Sequence, residues 1–259
     1  LGCFDGGQIL SSVADLLIEA SLTAVRQEFE KTYGIFPGGQ LCVLSFGKLG
    51  GEVLTRGSDL DLVFVYRANN ELLSDGERKV SPPIYYSRLC QRLITALSAQ
   101  TGHGQLYEID VRLRPMGSSG PLVSDFLRLE HYYQNEAWVW ELMALTRARV
   151  IAGPKQLTKK IDVLIHKVLR QAYMLKNLKT DVLAMRKKVW QERPPAGLWD
   201  IKYSLGGLFD LDFLVQYLQL QNGGREPSIL DSNTLKFFRN LAKFGGSDGS
   251  VLKELSGSL

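Results

Sequence analysis

Two aspartates one residue apart, Asp59 and Asp61, lie in the stretch FGKLGGEVLTRGSDLDLVFVY, which spans residues 46–66. Residues i and i+2 of a strand point to the same face, so both carboxylates should project together where the apolar run DLVFVY begins. Adjacent carboxylates repel each other and raise a pKa unless a cation lies between them. A hard divalent cation such as Mg²⁺, which takes oxygen ligands, would remove that repulsion, so the pair predicts a metal site.

A third carboxylate, Asp110, belongs to the stretch LYEIDVRLRP at residues 106–115. Apolar and charged residues alternate there, which predicts a half-buried strand with Asp110, Arg112 and Arg114 on its charged face. If this strand lies beside the first, Asp110 completes a site of three carboxylates. Such a site suits two Mg²⁺ ions and in-line displacement at phosphorus.

A glycine-rich loop precedes the aspartates and contains Gly47, Lys48, Gly50 and Gly51. Glycines let backbone N–H groups approach phosphate oxygens closely, and Lys48 offers a cation beside them. The loop is not a Walker A motif, because no Ser or Thr follows Lys48 in the required frame, and it is not a dinucleotide-binding GxGxxG motif.

Each feature also has a plainer interpretation. The aspartate pair could be a solvated turn, Asp110 could form a salt bridge with Arg112 or Arg114, and the glycines could form only a tight connection. The combination of the three features, in this order along the chain, favours a nucleotidyltransferase.

The elements that must position these residues follow from the hydrophobic periodicity. The spacing predicts a helix over 10–33, buried strands at 41–46 and 61–66, and a helix that begins at Ser81-Pro82-Pro83. The buried stripe of that last helix should be Tyr85, Leu89, Leu93 and Leu97. From about Ser124 strand signals vanish and helical spacing continues through EAWVWELMALTRARV and LFDLDFLVQYLQL.

The predicted class is therefore α+β and mostly helical, with a catalytic domain over 1–120 and a helical bundle over 121–259. The boundary lies in the loop MGSSGP at 116–121, and Pro194-Pro195-Ala196-Gly197 forms a second break. The tail at residues 245–259 is expected to be loosely ordered.

Composition sets broader limits. With 45% hydrophobic and 22% charged residues, the 259-residue chain is typical of an ordinary globular protein. No apolar run approaches the ~20 residues that cross a bilayer, and LGCFDGGQIL lacks the features of a signal peptide, so the cytoplasm is the expected location. Three scattered cysteines without CxxC spacing, with no histidines clustered beside them, predict reduced thiols and no zinc site.

The positive charge is concentrated at residues 155–193, where eleven Lys and Arg residues face three acidic ones, a net charge of +8 in a chain of +4. Apolar residues recur there at three- and four-residue steps, which predicts one or two amphipathic helices. Their basic surface, which includes Lys187 and Lys188, is either a solvated face or a surface for phosphate or an acidic partner.

The order of motifs resembles that of a known family. The chain is similar to glutamine synthetase adenylyltransferases, which are bifunctional bacterial regulators of nitrogen assimilation. The motifs that carry the similarity are GKLGG, GSDLDLVF, YEIDVRLRP with SGPLV, NEAWVWE with ALTRARV, and GG with DLDFLVQYLQL. The resemblance covers about residues 41–235. It implies a nucleotidyltransferase domain of the polymerase-β type followed by a helical bundle, and the transfer of AMP from ATP to a tyrosine hydroxyl of glutamine synthetase.

The resemblance also implies a set of site residues. The family's metal-binding aspartates fall on Asp59, Asp61 and Asp110, which would bind two Mg²⁺ ions on the ATP triphosphate, with Asp110 as the expected general base. Roles in nucleotide binding would fall to Gly47, Lys48, Gly50, Gly51 and Ser58. Arg112 and Arg114 would either stabilise developing charge or pair with the carboxylates. Trp138, Trp140 and Leu142 are expected in the core rather than in a base-stacking platform.

Family members carry two tandem copies, one that attaches AMP and one that removes it by phosphorolysis. One Asp-x-Asp signature implies a single copy here, and GSDLDLVF with NEAWVWE is more similar to the C-terminal, attaching copy. The resemblance further implies control by glutamine and by a PII signal protein, and no membrane or nucleic-acid partner is expected. One departure is Asp212 before Phe213, where the family usually has Glu.

Three alternatives stay open at this point: the AMP-removing copy, a nucleotidyltransferase for another acceptor such as a small molecule or RNA, and a non-catalytic regulatory module that binds a nucleotide or a signalling protein.

Overall fold

The computed structural model of the chain describes residues 3–102, 104–197 and 199–245. From residue 246 onward, the predicted loose tail lies outside this part of the chain. The helices are α1 (Cys3–Tyr33), α2 (Gly47–Gly50), α3 (Pro82–Leu97), α4 (Phe126–Asn135), α5 (Val139–Leu145), α6 (Lys155–Gln171), α7 (Leu178–Glu192), α8 (Leu208–Asn222) and α9 (Thr234–Gly245). The strands are β1 (Gln40–Ser45), β2 (Leu60–Arg67), β3 (Gln100–Thr101), β4 (Gly104–Gln105), β5 (Ile109–Asp110), β6 (Val123–Asp125) and β7 (Arg149–Ala152). The mostly helical α+β class is confirmed.

The chain divides into two compact units. The first contains the chain up to Ala137 together with Arg147–Ile165, and the second contains Trp138–Thr146 and the chain from His166 onward. The functional boundary near residue 120 stays a prediction. The compact units divide elsewhere because two strands beyond residue 120, β6 and β7, pair with the central strands of the first unit.

One mixed sheet organises the first unit, in the order β5-β2-β1-β7, with β6 also paired to β2. Strands β1 and β2 are antiparallel, and β1 is antiparallel to β7. Both β5 and β6 run parallel to β2. Because β5 pairs at the beginning of β2 and β6 pairs near its end, β2 is the strand that connects the candidate site to the core.

The alternation along β2 separates the core from the site. Leu60, Leu62, Phe64 and Tyr66 are buried in the same cluster as α1 and α3. Asp61 lies between them in sequence and therefore points to the opposite face. The predicted stripe of α3 is confirmed, since Tyr85, Leu89, Leu93 and Leu97 are all buried in this cluster.

Helix α1 packs one face against the core of the first unit, where Ala14, Ile18, Leu22 and Phe29 are buried. By length and composition alone, Gly6–Tyr33 would also suffice to cross a membrane, so the expectation that no run of that length exists is wrong. One such helix is weak evidence for a membrane span, because a core helix or a signal sequence passes the same test. The contacts with α3 give α1 a packing role in this unit.

Two strand predictions are wrong. Only Ile109–Asp110 of the predicted long strand pairs with β2, because an Asp110 side-chain oxygen accepts from the Arg112 amide at 2.8 Å and the chain turns there. Strand signals also do not end at Ser124. Strand β6 continues to Asp125, and the end of the apparently helical run EAWVWELMALTRARV pairs with β1 as β7.

The second unit is helical in the part that the structure describes. Val215 and Leu218 of α8 pack with Ile229, and with Phe237 and Leu241 of α9, in one buried cluster. The basic segment forms α6, whose residues up to Ile165 belong to the first unit, and α7, which confirms the prediction of one or two helices. The predicted break at 194–197 lies between α7 and α8.

Candidate active site

Strand β2 presents the aspartate pair at its beginning. Asp59 lies one residue before the strand and is exposed, whereas Asp61 is its second residue and is half-buried. The backbone fixes this end of the strand on both sides. The amide of Phe46 donates to the Asp61 carbonyl at 2.9 Å, and the amide of Leu60 donates to the Glu108 carbonyl at 2.8 Å.

Strand β5 brings Asp110 directly beside Asp61. The two strands are parallel, and Asp61 and Asp110 are register partners. Neighbouring residues of parallel strands lie on the same face, so the two carboxylates share one side of the sheet. One oxygen each from Asp59, Asp61 and Asp110 lies within 4.8 Å of the others. The structure therefore brings together the three carboxylates that the sequence singles out.

The three carboxylates create an electrostatic conflict that is strongest at Asp61. Burial, together with the negative charges of Asp59 and Asp110, raises the pKa of Asp61 to about 6. Asp110 has the opposite shift, because hydrogen bonds from Arg112 lower its pKa below the usual value. Without a cation, the ionised form of Asp61 is therefore destabilised by burial and by the neighbouring carboxylates. A bound divalent ion would stabilise that ionised form.

Arg112 pairs with the Asp110 carboxylate, which is one of the two alternatives predicted for it; the other is stabilisation of developing charge. Its Nε donates to the two carboxylate oxygens at 3.0 and 2.8 Å, and its Nη2 also contacts the carboxylate. The Arg112 side chain is 75% exposed, whereas that of Asp110 is 13% exposed. The arginine therefore covers Asp110 from the solvent side.

Arg114 is directed to its own loop. Its guanidinium donates to the carbonyls of Val111, Ser118 and Gly120 at 2.7, 3.3 and 3.2 Å. These bonds shape the turn after β5 and leave any contact of Arg114 with a nucleotide as a prediction.

The glycine loop approaches the carboxylates most closely at Gly47. A Cβ atom at this position would lie 2.0 Å from the Asp61 Oδ2 atom, and the residue has φ +54°. Only glycine fits this combination of a left-handed backbone and a close carboxylate. The loop at 46–51 is therefore shaped to lie against Asp61.

Gly50 and Gly51 have a different part in the loop. Their amides donate to the carbonyls of Phe46 and Gly47 at 2.8 and 3.1 Å, which closes the short helix α2. A Cβ at Gly50 would lie 1.9 Å from the Arg147 carbonyl oxygen. Gly50 thus allows tight backbone packing, and a phosphate contact from the amides of Gly50 and Gly51 stays a prediction.

Lys48 is held near the site by two hydroxyls. Its Nζ donates to Thr55 Oγ1 at 3.1 Å and to Ser58 Oγ at 3.2 Å, and the two hydroxyls contact each other at 2.7 Å. The charge of Lys48 also lowers the pKa of Asp61. Ser58 therefore orients the lysine, and its predicted role in nucleotide binding stays a prediction.

The sequence did not predict Arg149, Asp15 and Ser11, whose hydrogen bonds fix the glycine loop and the residues that follow it. Arg149 of β7 donates to the carboxylate of Asp15 in α1 at 2.7 and 3.1 Å and to the Leu49 carbonyl at 3.1 Å. Ser11 of α1 accepts from the Leu54 amide at 3.2 Å. No local pattern indicates these contacts, because they join positions up to 134 residues apart.

The remaining predicted residues lie in the second unit. Leu142 is buried as expected, whereas Trp138 is 71% exposed, so its placement in the core is wrong. Trp140 is half-buried. Asp212 lies half-buried on α8, and its neighbour Asp210 pairs with Arg186.

The donor set fits a hard divalent cation. Three carboxylates supply oxygen ligands and a combined negative charge, which is what Mg²⁺ requires. Within the described part of the chain, no softer ligand belongs to the cluster. Such a site, with a lysine beside it, can bind a nucleoside triphosphate through its phosphates.

Comparisons with known proteins identify relatives across most of the chain. A family model described as Glutamate-ammonia ligase adenylyltransferase matches residues 5–163, which include all three aspartates. The chain is 46% identical over 236 residues to the bifunctional glutamine synthetase adenylyltransferase/adenylyl-removing enzyme of Agrobacterium fabrum, covering 89% of the chain and 24% of that protein. The protein of the same name from Rhizobium meliloti is 42% identical over 215 residues, 83% of the chain and 22% of the relative.

A third relative with that name, from Rhodopseudomonas palustris, is 39% identical over 247 residues, 94% of the chain and 25% of the relative. The chain thus spans about a quarter of the length of these curated relatives.

Proposed function

Because the chain belongs to the glutamate-ammonia ligase adenylyltransferase family, we propose that it transfers AMP from ATP to a tyrosine hydroxyl of glutamine synthetase. Residues 1–120 would be the nucleotidyltransferase domain of the polymerase-β type, and residues 121–259 the helical bundle domain. The observation that carries the proposal is the cluster of Asp59, Asp61 and Asp110 on adjacent parallel strands.

The cluster would bind two Mg²⁺ ions through Asp59, Asp61 and Asp110. When bound, the ions neutralise charge on the ATP phosphates and lower the pKa of the attacking hydroxyl. The chain's own contribution is to fix three ligand oxygens in advance, because β2 and β5 are locked in register at Asp61 and Asp110. Prior fixation matters since the carboxylates then lose little freedom when the nucleotide binds.

The nucleotide would lie along the loop in front of β2. Gly47 lets the loop backbone approach Asp61 closely, which would bring its amides near the phosphates. Lys48, held by Ser58, would place a positive charge next to them. Gly50 and Gly51 would support this cradle by keeping the short turn closed. Arg112 would move from Asp110 to the phosphates, whereas Arg114 keeps the loop after β5 in shape.

Asp110 would accept the proton of the target tyrosine. A tyrosine hydroxyl has an ordinary pKa near 10 and needs a base to react at neutral pH. The lowered pKa of Asp110 keeps the carboxylate ionised and ready to accept a hydrogen bond. One of its oxygens must first be released by Arg112 for this role.

Family membership alone supports the rest of the proposal: a cytoplasmic enzyme, control by glutamine and a PII signal protein, and no membrane or nucleic-acid partner.

The test is the intact mass of unmodified glutamine synthetase after incubation with this chain, ATP and Mg²⁺. We expect a gain of one AMP per subunit. The chain with Asp59→Asn and Asp61→Asn should produce none. A chain with Glu71→Gln and Glu77→Gln loses the same charge from an exposed loop of the first unit and should remain active. No gain with any chain, despite bound ATP, would contradict the proposal.

A second candidate is supported by the printed names of the relatives, which include an adenylyl-removing activity. In that case the chain would release ADP from adenylylated glutamine synthetase only when inorganic phosphate is present. Measuring ADP with and without phosphate separates the two reactions, since AMP transfer from ATP yields pyrophosphate instead.

A further inference from the structure

A cavity of about 610 Å³ lies between α7 and α8 in the second unit. Small-molecule sites in proteins have volumes of roughly 300–1,000 Å³ and mostly apolar walls with a few charged groups. The cavity has that size, and all of its lining residues belong to the second unit, whereas the three clustered aspartates belong to the first. Its chemistry can therefore be considered independently of AMP transfer.

The walls are two apolar stripes at helical spacing. Helix α7 contributes Val182, Leu183 and Trp190, and helix α8 contributes Phe213, Leu214 and Tyr217. Leu183 and Trp190 are 59% and 42% exposed, which is unusual for large apolar side chains that face a concave surface. A bound ligand with a flat or branched apolar part would remove this exposed apolar surface from water.

The charged groups of the cavity are mostly positive. Among the lining residues that the structure describes, Lys179, Arg186 and Lys187 of α7 oppose one carboxylate, that of Asp210 on α8. That carboxylate is already engaged, because it pairs with Arg186 Nε and accepts from the Gly206 amide at 2.7 Å. The lining thus keeps an excess of positive charge after its internal pair is formed.

Arg186 also has an unused donor. Its Nη2 is buried and has no hydrogen-bond partner among the described residues. A buried donor without an acceptor destabilises the folded chain, so an anionic oxygen within reach would be favoured there. The guanidinium plane is fixed by Asp210 and by its position 5.7 Å from the Phe209 ring centroid, so the donor is preoriented.

We propose that this cavity, the α7–α8 pocket, binds a small organic anion that has an apolar body and one carboxylate or phosphate group. The apolar body packs between Trp190 and Phe213, and the anionic group meets Arg186 with Lys179 or Lys187 beside it. Electrostatic attraction selects anions, and the apolar walls reject small, fully polar ones such as inorganic phosphate alone.

Isothermal titration calorimetry of the full chain with naphthoate tests the proposal. Naphthamide has the same shape without the charge, and we expect it to bind at least about tenfold more weakly. Lys187→Met should weaken naphthoate binding several-fold. Lys188→Met is the matched control: Lys188 is the next residue of α7, does not line the pocket and lies 3.9 Å from Glu192, so affinity should not change.

Two further variants test the location of binding. Leu183→Trp adds bulk at an exposed lining position and should abolish binding while the fold is kept. Arg186→Met combined with Asp210→Asn removes the ion pair without leaving a lone charge, and should weaken binding at least about tenfold.

Circular dichroism of each variant measures whether it is folded. Any of four results would overturn the proposal. The unmodified chain does not bind naphthoate, or it binds naphthamide equally well. Lys187→Met and Lys188→Met lose equal affinity for naphthoate, or the folded Leu183→Trp chain binds it as tightly as the unmodified chain.

Discussion

The absence of a side chain at Gly47 determines how close the glycine loop comes to the carboxylates. A methyl group there would lie 2.0 Å from the Asp61 Oδ2 atom, on a backbone with φ +54°. Gly47→Ala should displace Asp61 or the loop, and the left-handed backbone adds about 1–2 kcal/mol of strain. We expect Mg²⁺ affinity and AMP transfer to fall at least about tenfold. Equilibrium binding of Mg²⁺ measures the first directly.

Gly38→Ala separates the clash from the backbone strain. Gly38 has φ +66°, but no atom lies within 4 Å of a Cβ built at that position. The variant should lose similar stability in urea unfolding and keep its metal affinity. Equal loss of Mg²⁺ binding in both variants would show that the approach of Gly47 to Asp61 is unimportant.

Asp61 should make the stability of the metal-free chain depend on pH. Its folded pKa of about 6 exceeds the unfolded value of about 3.9, so its ionisation is disfavoured by folding. The contribution to stability is complete below about pH 4 and is lost as the pH rises through about 6. The loss should be about 1–2 kcal/mol after allowance for solvent screening.

Urea unfolding at several pH values, with a chelator and then with Mg²⁺, measures this effect. Asp61→Asn should reduce the loss between about pH 4 and about pH 7, and Asp15, whose pKa burial also raises, should account for what remains. Mg²⁺ should stabilise the unmodified chain more at neutral than at acidic pH. The lowered pKa of Asp110 acts in the opposite direction and at lower pH, so it lies outside this window. An Asp61→Asn chain with the original pH slope would contradict the assignment.

The sequence predicts some of these residues for a simple physical reason. Asp59 and Asp61 share a face because side chains alternate along any strand, which is a local rule. Their proximity to Asp110 depends on the pairing of β2 with β5, which only a family resemblance or the structure supplies. The hydrogen bonds of Gly50, Gly51 and Arg114 depend on loop geometry that no spacing rule encodes.

At the scale of elements, Arg149 connects three parts of the first unit: β7, α1 through Asp15, and the glycine loop through the Leu49 carbonyl. Both side chains of the ion pair are about one-quarter exposed. Arg149→Met leaves Asp15 partly buried without its partner, so the free energy of unfolding should fall by about 2 kcal/mol. Hydrogen exchange of the amides at 46–54 should accelerate more than that of β2.

Lys31→Met provides the comparison for this prediction. Lys31 pairs with Glu28 on the same helix α1, but both side chains are about two-thirds exposed. An exposed pair contributes little because solvent screens it, so this variant should resemble the unmodified chain. If the two variants lose equal stability and show equal exchange in the loop, Arg149 does not fix the loop.

The errors in element prediction share one cause, which is that tertiary pairing overrides local pattern. The sequence TRARV continues a helical spacing, yet Arg149–Ala152 forms β7 because β1 offers it a free edge. LYEIDVRLRP alternates like a strand over ten residues, but Asp110 bonds to the Arg112 amide and ends the strand after two residues. Helices with strong apolar stripes, such as α3, are predicted well because their signal is local.

At the scale of the whole molecule, the sheet determines which parts of the chain fold together. Strand β6 pairs with β2 at Phe64–Tyr66, and β7 pairs with β1 at Val43–Ser45. Both added strands come after the predicted boundary at residue 120. A loop rich in glycine and serine, such as 116–121, resembles a linker in composition although it lies inside one compact unit.

Two fragments distinguish these boundaries. A fragment of residues 1–120 lacks β6 and β7, so it leaves the edges of β1 and β2 unpaired and should show no cooperative unfolding in urea. A fragment of residues 1–165 contains every strand of the five-stranded sheet and should unfold cooperatively, as followed by circular dichroism. Leu142 and Met143 are buried in the second unit, so replacing both with serine in the longer fragment limits aggregation. Cooperative unfolding of the shorter fragment would show that the paired edges contribute little, because β1, β2 and β5 with α1 and α3 would then suffice for a stable core.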